Sequence, residues 1–133
     1  MIKKMTPVLA VEQVEPCVRF WTERLGFQKT GEVPEGDTIG FAMLQKGNIE
    51  LMYQSYASIR KDLGGQAPDL ERDMRKGPTF LYVEVEDLAQ VAAAMQGATL
   101  ALPERLTFYG AKEVGFRDPG GHVVVFAQMM GHA

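Results

Sequence analysis

Phe116-Arg117-Asp118-Pro119-Gly120-Gly121-His122-Val123-Val124-Val125-Phe126 reads as strand, tight turn, strand. Asp118 can accept backbone hydrogen bonds at the start of a turn and Pro119 presets its φ, while Gly120 and Gly121 are expected to supply the positive φ of a sharp reversal. The β-branched and aromatic run from Val123 to Phe126 suits a buried strand. A hairpin so well marked points to a sheet that closes on its last strand, and places any site there.

Upstream of the hairpin, Glu113 to Phe116 and Thr99 to Leu102 read as further strands. They follow a helix from Leu88 to Met95 with Asp87 as its N-cap and Gly97 as its stop. The phrase Val83-Glu84-Val85-Glu86-Asp87-Leu88 superposes on Leu9-Ala10-Val11-Glu12-Gln13-Val14 at a constant offset of 74, and both run straight into a helix. In the first half, Pro7 to Val11 is a short apolar strand. Pro16 then suits the first turn of a helix whose Val14, Val18, Trp21 and Leu25 recur at helical spacing until Gly26. Phe27 to Gly31 is a possible extra strand, Pro34-Glu35-Gly36-Asp37 a turn, Thr38 to Leu44 a strand, Lys46-Gly47-Asn48 a turn and Ile49 to Tyr53 a strand. The expected organisation is therefore two similar modules, 1–55 and 77–133. The intervening residues 56–76 hold Gly64-Gly65, Pro68 and a dense mix of charges, and read as a linker that is either a mobile surface crossing or a lid.

Composition narrows the function classes. A chain of 133 residues buries roughly two thirds of its unfolded surface, enough for one core or two small fused halves. No apolar run reaches the roughly 18 residues of a membrane span, and Met1-Ile2-Lys3-Lys4 lacks a secretory pattern, so a cytoplasmic protein without a membrane partner is expected. The single cysteine, Cys17, excludes an internal disulfide and fits buried filler better than a nucleophile. With 14 basic against 17 acidic residues the net charge of −3 offers no phosphate-binding field, so nucleic acid is not an expected partner.

Val11-Glu12-Gln13-Val14 followed by Phe20-Trp21 and Leu25-Gly26-Phe27 resembles the opening of a vicinal oxygen chelate module. Asp118-Pro119-Gly120-Gly121-His122 is similar to that family's closing hairpin, and Tyr109-Gly110-Ala111-Lys112-Glu113 to the loop before it. The family includes glyoxalases, extradiol dioxygenases and bleomycin and fosfomycin resistance proteins. The resemblance implies an α+β fold of two βαβββ modules, a curled mixed sheet around a pocket with helices outside, and a homodimer. It also implies four metal-ligand positions, which fall here on Thr6, Glu50, Phe80 and Val125. Only Glu50 is a credible ligand there, since a divalent cation needs three or four donors. His122 at the turn, expected to be exposed, and His132 in the tail do not complete the set, and no metal or other cofactor is expected.

Period-2 alternation places Asn48, Glu50 and Met52 in the cup, with Ile49, Leu51 and Tyr53 toward the helices. Phe80, Tyr82, Glu84, Val123, Val125 and Ala127 line it from the second half, and Phe108-Tyr109-Gly110 caps it. The candidate ligand-binding residues are thus Asn48, Glu50, Met52, Phe80, Tyr82, Phe108, Tyr109 and Val125, with Glu50 the general base if the protein is an enzyme. Phe80, Met52 and Val125 equally suit plain core filling, and Arg117 and Lys112 suit solvated strand positions as well as an anion site. The expected function is metal-free sequestration of an apolar or aromatic small molecule, planar with a cationic or hydrogen-bond-donating group, in the manner of antibiotic-resistance proteins. The alternative is a glyoxalase-like lyase or isomerase, with atypical metal ligands or using Glu50.

Overall fold

The computed structural model describes residues 1 and 3–131, so His132 lies outside the described residues. The chain forms two compact units, Met1–Gly77 and Pro78–Ala133. Each carries a four-stranded mixed sheet in which the first strand runs parallel to the last and the other neighbours are antiparallel. The fold is α+β and neither sheet closes into a barrel.

In the first unit β1 (Val8–Val11) leads into α1 (Val14–Leu25), and β2 (Gln28–Glu35), β3 (Thr38–Lys46) and β4 (Ile49–Ser55) follow, in the sheet order β1-β4-β3-β2. The crossover through α1 makes the parallel β1–β4 pairing possible, with Val8 opposite Met52 and Val11 opposite Ser55. The helix stops where expected, because Gly26 at φ 73° takes the left-handed position and donates its N–H to Trp21 O. Its buried stripe is Val14, Cys17, Phe20 and Trp21, rotated by a residue from the expected Val14, Val18, Trp21 and Leu25. That rotation brings both aromatics onto the sheet. Trp21 Nε1 donates to the hydroxyl of the buried Tyr53 at 2.8 Å, and the Trp21 ring meets Phe27 edge-on at 4.9 Å.

Strand β2 is longer than expected and tightens the following turn to Gly36-Asp37, with Glu35 opposite Thr38. Pro34 is tolerated because β2 lies at the sheet edge and the register shifts beside it. The stretch read as a linker holds two helices, α2 (Tyr56–Leu63) and α3 (Pro68–Met74), so the described residues form four helices rather than two. Ser55 Oγ caps α2 by accepting the Ser58 N–H, and Gly64 ends it. No residue of α3 is buried. Its ties are ionic: Glu71 accepts from Arg60 at 2.6 Å and from Arg75 at 3.1 Å, and Arg75 lies 4.0 Å over the Tyr56 ring. The dense charges of the stretch read as a surface crossing or a lid form a strap of ion pairs.

In the second unit β5 (Phe80–Glu84), α4 (Leu88–Ala94), β6 (Thr99–Leu106), β7 (Ala111–Arg117) and β8 (Val123–Met129) form the sheet β5-β8-β7-β6. Helix α4 begins 74 residues after α1, as the internal repeat predicts. Asp87 caps it by accepting the Ala89 N–H at 3.0 Å. Leu88 and Met95 are buried with Val114, Phe116, Val124 and Phe126, which share one face of the sheet by alternation.

In the closing hairpin Asp118 Oδ1 accepts the N–H groups of Gly120 (3.0 Å) and His122 (2.8 Å). Only Gly121, at φ 92°, has the positive φ expected of both glycines. His122, expected to be exposed, is buried, because its Nδ1 accepts the Thr79 N–H at 2.8 Å and latches the hairpin to the start of β5.

Candidate ligand-binding site

The register of each sheet decides which side chains share a face. In the first unit, Leu51 and Tyr53 are buried on the α1 side, and Glu50 and Met52 point to the other face with Met43 and Gln45 opposite them. Asn48, placed in the cup by alternation, sits instead at the tip of the β3–β4 turn and is exposed, because the strand begins one residue later. Ile49, placed toward the helices, is likewise exposed. Glu50 is not a free charge: Lys4 Nζ lies 2.7 Å from its Oε2 and the Thr6 hydroxyl 3.5 Å from its Oε1. A ligand cation would have to displace Lys4, which removes the reason for expecting one there.

In the second unit, the face opposite α4 carries Phe80, Tyr82 and Glu84 on β5, Val123, Val125 and Ala127 on β8, and Glu113 and Gly115 on β7. Phe80 is 71% exposed, and Phe108 in the β6–β7 loop is fully exposed, standing edge-on to Tyr109 with ring centres 5.0 Å apart. Val125 on the same face is half-buried. Arg117 donates to Gly121 O and Lys112 pairs with Glu104 at 3.7 Å, so both have partners within the hairpins.

The centre of this face is Glu113, which the residue-by-residue reading did not single out. Its side chain is only 1% exposed. Oε2 accepts the hydroxyls of Tyr82 and Tyr109, and Oε1 accepts Arg105 Nε at 3.2 Å and Nη2 at 3.0 Å. Burial by itself raises the Glu113 pKa, but the hydrogen bonds from Tyr109, Tyr82 and Arg105 with the guanidinium charge outweigh it and hold the carboxyl below its ordinary value. The Tyr82 phenol moves the other way, well above the usual tyrosine value, chiefly through its bond to Glu113 and then through burial. The alternation of Glu113-Val114-Gly115-Phe116 was the available signal: it sets a carboxylate beside a glycine on the face opposite Val114 and Phe116.

A measurable consequence follows for the phenol. Ultraviolet difference titration of the protein against its Tyr82→Phe variant is expected to show Tyr82 ionising later than an ordinary tyrosine, and Glu113→Gln to bring it back toward the ordinary value. An unshifted Tyr82 would mean that its hydroxyl does not face Glu113.

Residues 5–126 match the model of the Glyoxalase/Bleomycin resistance protein/Dioxygenase superfamily. The chain belongs to this superfamily. Among solved structures it is similar to TioX from Micromonospora sp. ML1, with a TM-score of 0.70 and 21% identity over 97% of this chain and 100% of that one. It is similar also to the bleomycin resistance determinant encoded on transposon Tn5, at 0.67 and 19% over 96% and 98% of the two chains. A third is the bleomycin-binding protein from bleomycin-producing Streptomyces verticillus complexed with copper(II)-bleomycin, at 0.63 and 24% over 99% and 100%. No match was found among curated protein sequences.

The superfamily's metal enzymes raise the question of whether these residues fit a divalent cation. They do not. Of the four positions the resemblance assigns, Phe80 and Val125 have no donor atom, Thr6 is a neutral hydroxyl, and Glu50 is held by Lys4. Among the described residues no group of three or more His, Cys, Asp and Glu gathers to hold a metal ion. No helix among them is long and apolar enough to cross a membrane.

Proposed function

We propose that this protein is a metal-free small-molecule binding protein of the bleomycin-resistance type, which as a homodimer sequesters an apolar or aromatic ligand against the sheet face opposite its packing helices. The observation that carries this reading is the exchange of chemistry at the ligand positions: an aromatic ring and an aliphatic chain, Phe80 and Val125, stand where donors would be needed. Exposed aromatics on the same unit, Phe80, Tyr82, Phe108 and Tyr109, supply the apolar surface that a binding site requires. The copper(II)-bleomycin complex of the Streptomyces verticillus protein supports the reading as an example of a large ligand held on this fold.

Elemental analysis of the purified protein combined with calorimetric titration of aromatic ligands tests it. The expected result is no stoichiometric divalent metal, a dimer mass in light scattering, and binding that Phe80→Ala weakens by about tenfold through loss of aromatic contact area. One divalent metal per chain, with turnover that chelation abolishes, would replace it with the lyase or isomerase reading.

A further inference from the structure

The register of the second sheet fixes how Tyr82 must lie. Tyr82 on β5 is opposite Val125 on β8, and Val125 is opposite Gly115 on β7, so a whole strand separates Tyr82 from the strand of Glu113. Neighbouring strands are about 4.8 Å apart, which puts β5 roughly 10 Å from β7. A ring standing upright on β5 could not bring its hydroxyl to Glu113. The observed bond requires the ring to lean from β5 across β8 toward β7, and Tyr82 still keeps 53% of its surface exposed. Tyr109 reaches the same oxygen from the β6–β7 loop. Both hydroxyls are thus turned inward onto one buried carboxylate, and what the platform offers outward is aromatic surface.

Beside these rings the platform turns a cation outward. Arg105 spends Nε and Nη2 on Glu113, two of the five N–H donors of a guanidinium, and its side chain is 52% exposed. The negative charge that would repel an anion, Glu113, is buried and met by Arg105 itself. Glu84 is exposed on the same face but lies on β5, three strands from Arg105, roughly 14 Å away and beyond the screening length at physiological salt. Lys112 and Glu104 beside Arg105 pair with each other.

We propose that this platform binds a planar aromatic ligand bearing a carboxylate, its ring stacked on Tyr82 and its carboxylate on the free edge of Arg105. This rests on the binding reading above and reverses the cationic ligand that Glu50 alone suggests. Glu113 is then a positioning residue: it lays Tyr82 down, holds Tyr109 and aims Arg105 without touching the ligand.

Three probes of one shape and different charge decide it: naphthoate, naphthamide and naphthylmethylammonium, titrated into the wild-type protein by calorimetry. Naphthoate is expected to bind at least about tenfold tighter than the ammonium, with the amide between, as a charge-assisted bond to Arg predicts. Arg105→Gln should erase the advantage of naphthoate over naphthamide, Glu84→Gln should leave the ranking alone, and the Tyr82 ring protons should shift upfield on binding. Equal binding of all three, or preference for the ammonium, overturns the proposal and leaves the binding reading standing; failure of every probe to bind removes both. The wild-type ranking needs no variant to fold.

Discussion

Trp21→Ala is expected to destabilise the first unit by about 3–5 kcal/mol, the range for truncating a large buried aromatic where the surroundings collapse only in part. Trp21 is almost completely buried, packs edge-on against Phe20 and Phe27, and ties α1 to β4 through the bond from its Nε1 to Tyr53. Relaxation around the cavity is limited, because Tyr53, Leu51, Ala42 and Leu44 beneath the helix are themselves buried on a four-stranded sheet. Two milder variants separate the components. Trp21→Phe keeps most of the area and gives up the hydrogen bond, at about 1 kcal/mol, whereas Tyr53→Phe strands a buried indole N–H at about 1–3 kcal/mol. Thermal unfolding reads the series: at about 3–5 °C per kcal/mol for a chain of this size, Trp21→Ala lowers the midpoint by about 9–25 °C. A loss under about 1 kcal/mol would mean that the ring is not part of the core.

Such local packing was largely legible in the chain, since it depends on residues whose roles are set by near neighbours. Gly26 could be read as a helix stop and Asp118 as the accepting residue of a turn because turn and cap chemistry act over three or four positions. Alternation along Ile49 to Tyr53 likewise separated Leu51 and Tyr53 from Glu50 and Met52. The strap of Arg60, Glu71 and Arg75 was harder to see, because composition alone does not distinguish charges that pair across a helical hairpin from charges that solvate a loop. The same limit hid the partner of Glu50, a lysine 46 residues away. Glu113 was the least legible of all. Its partners come from β5, β6 and a loop, and only the pairing order β5-β8-β7-β6 brings them to one oxygen pair. Phe80 and Tyr82 were read as one face of a strand, yet what makes Tyr82 a platform is a carboxylate on another strand.

Removal of that carboxylate should therefore be felt in both stability and pH dependence. Glu113→Ala is expected to cost about 3 kcal/mol. The gross loss is larger, since bonds to a charged acceptor contribute about 1.5–3 kcal/mol each, but the variant also recovers the penalty of burying a charge. Arg105, Tyr82 and Tyr109 all keep part of their surface in water and can be rehydrated, which holds the cost at the low end for a broken buried pair. Glu113→Gln fills the space and should lose less, about 1–2 kcal/mol. Because the folded carboxyl lies below its ordinary value, its stabilisation is present in full above the ordinary glutamate pKa of about 4.3 and is lost as the pH falls below that value and through the lower folded one. Denaturant unfolding at neutral pH and at successively more acidic pH should show wild type and Glu113→Gln converging on acidification. Parallel curves, or a variant that gains on the wild type at neutral pH, would show that the two tyrosines and Arg105 do not depend on this carboxylate for their place on the sheet.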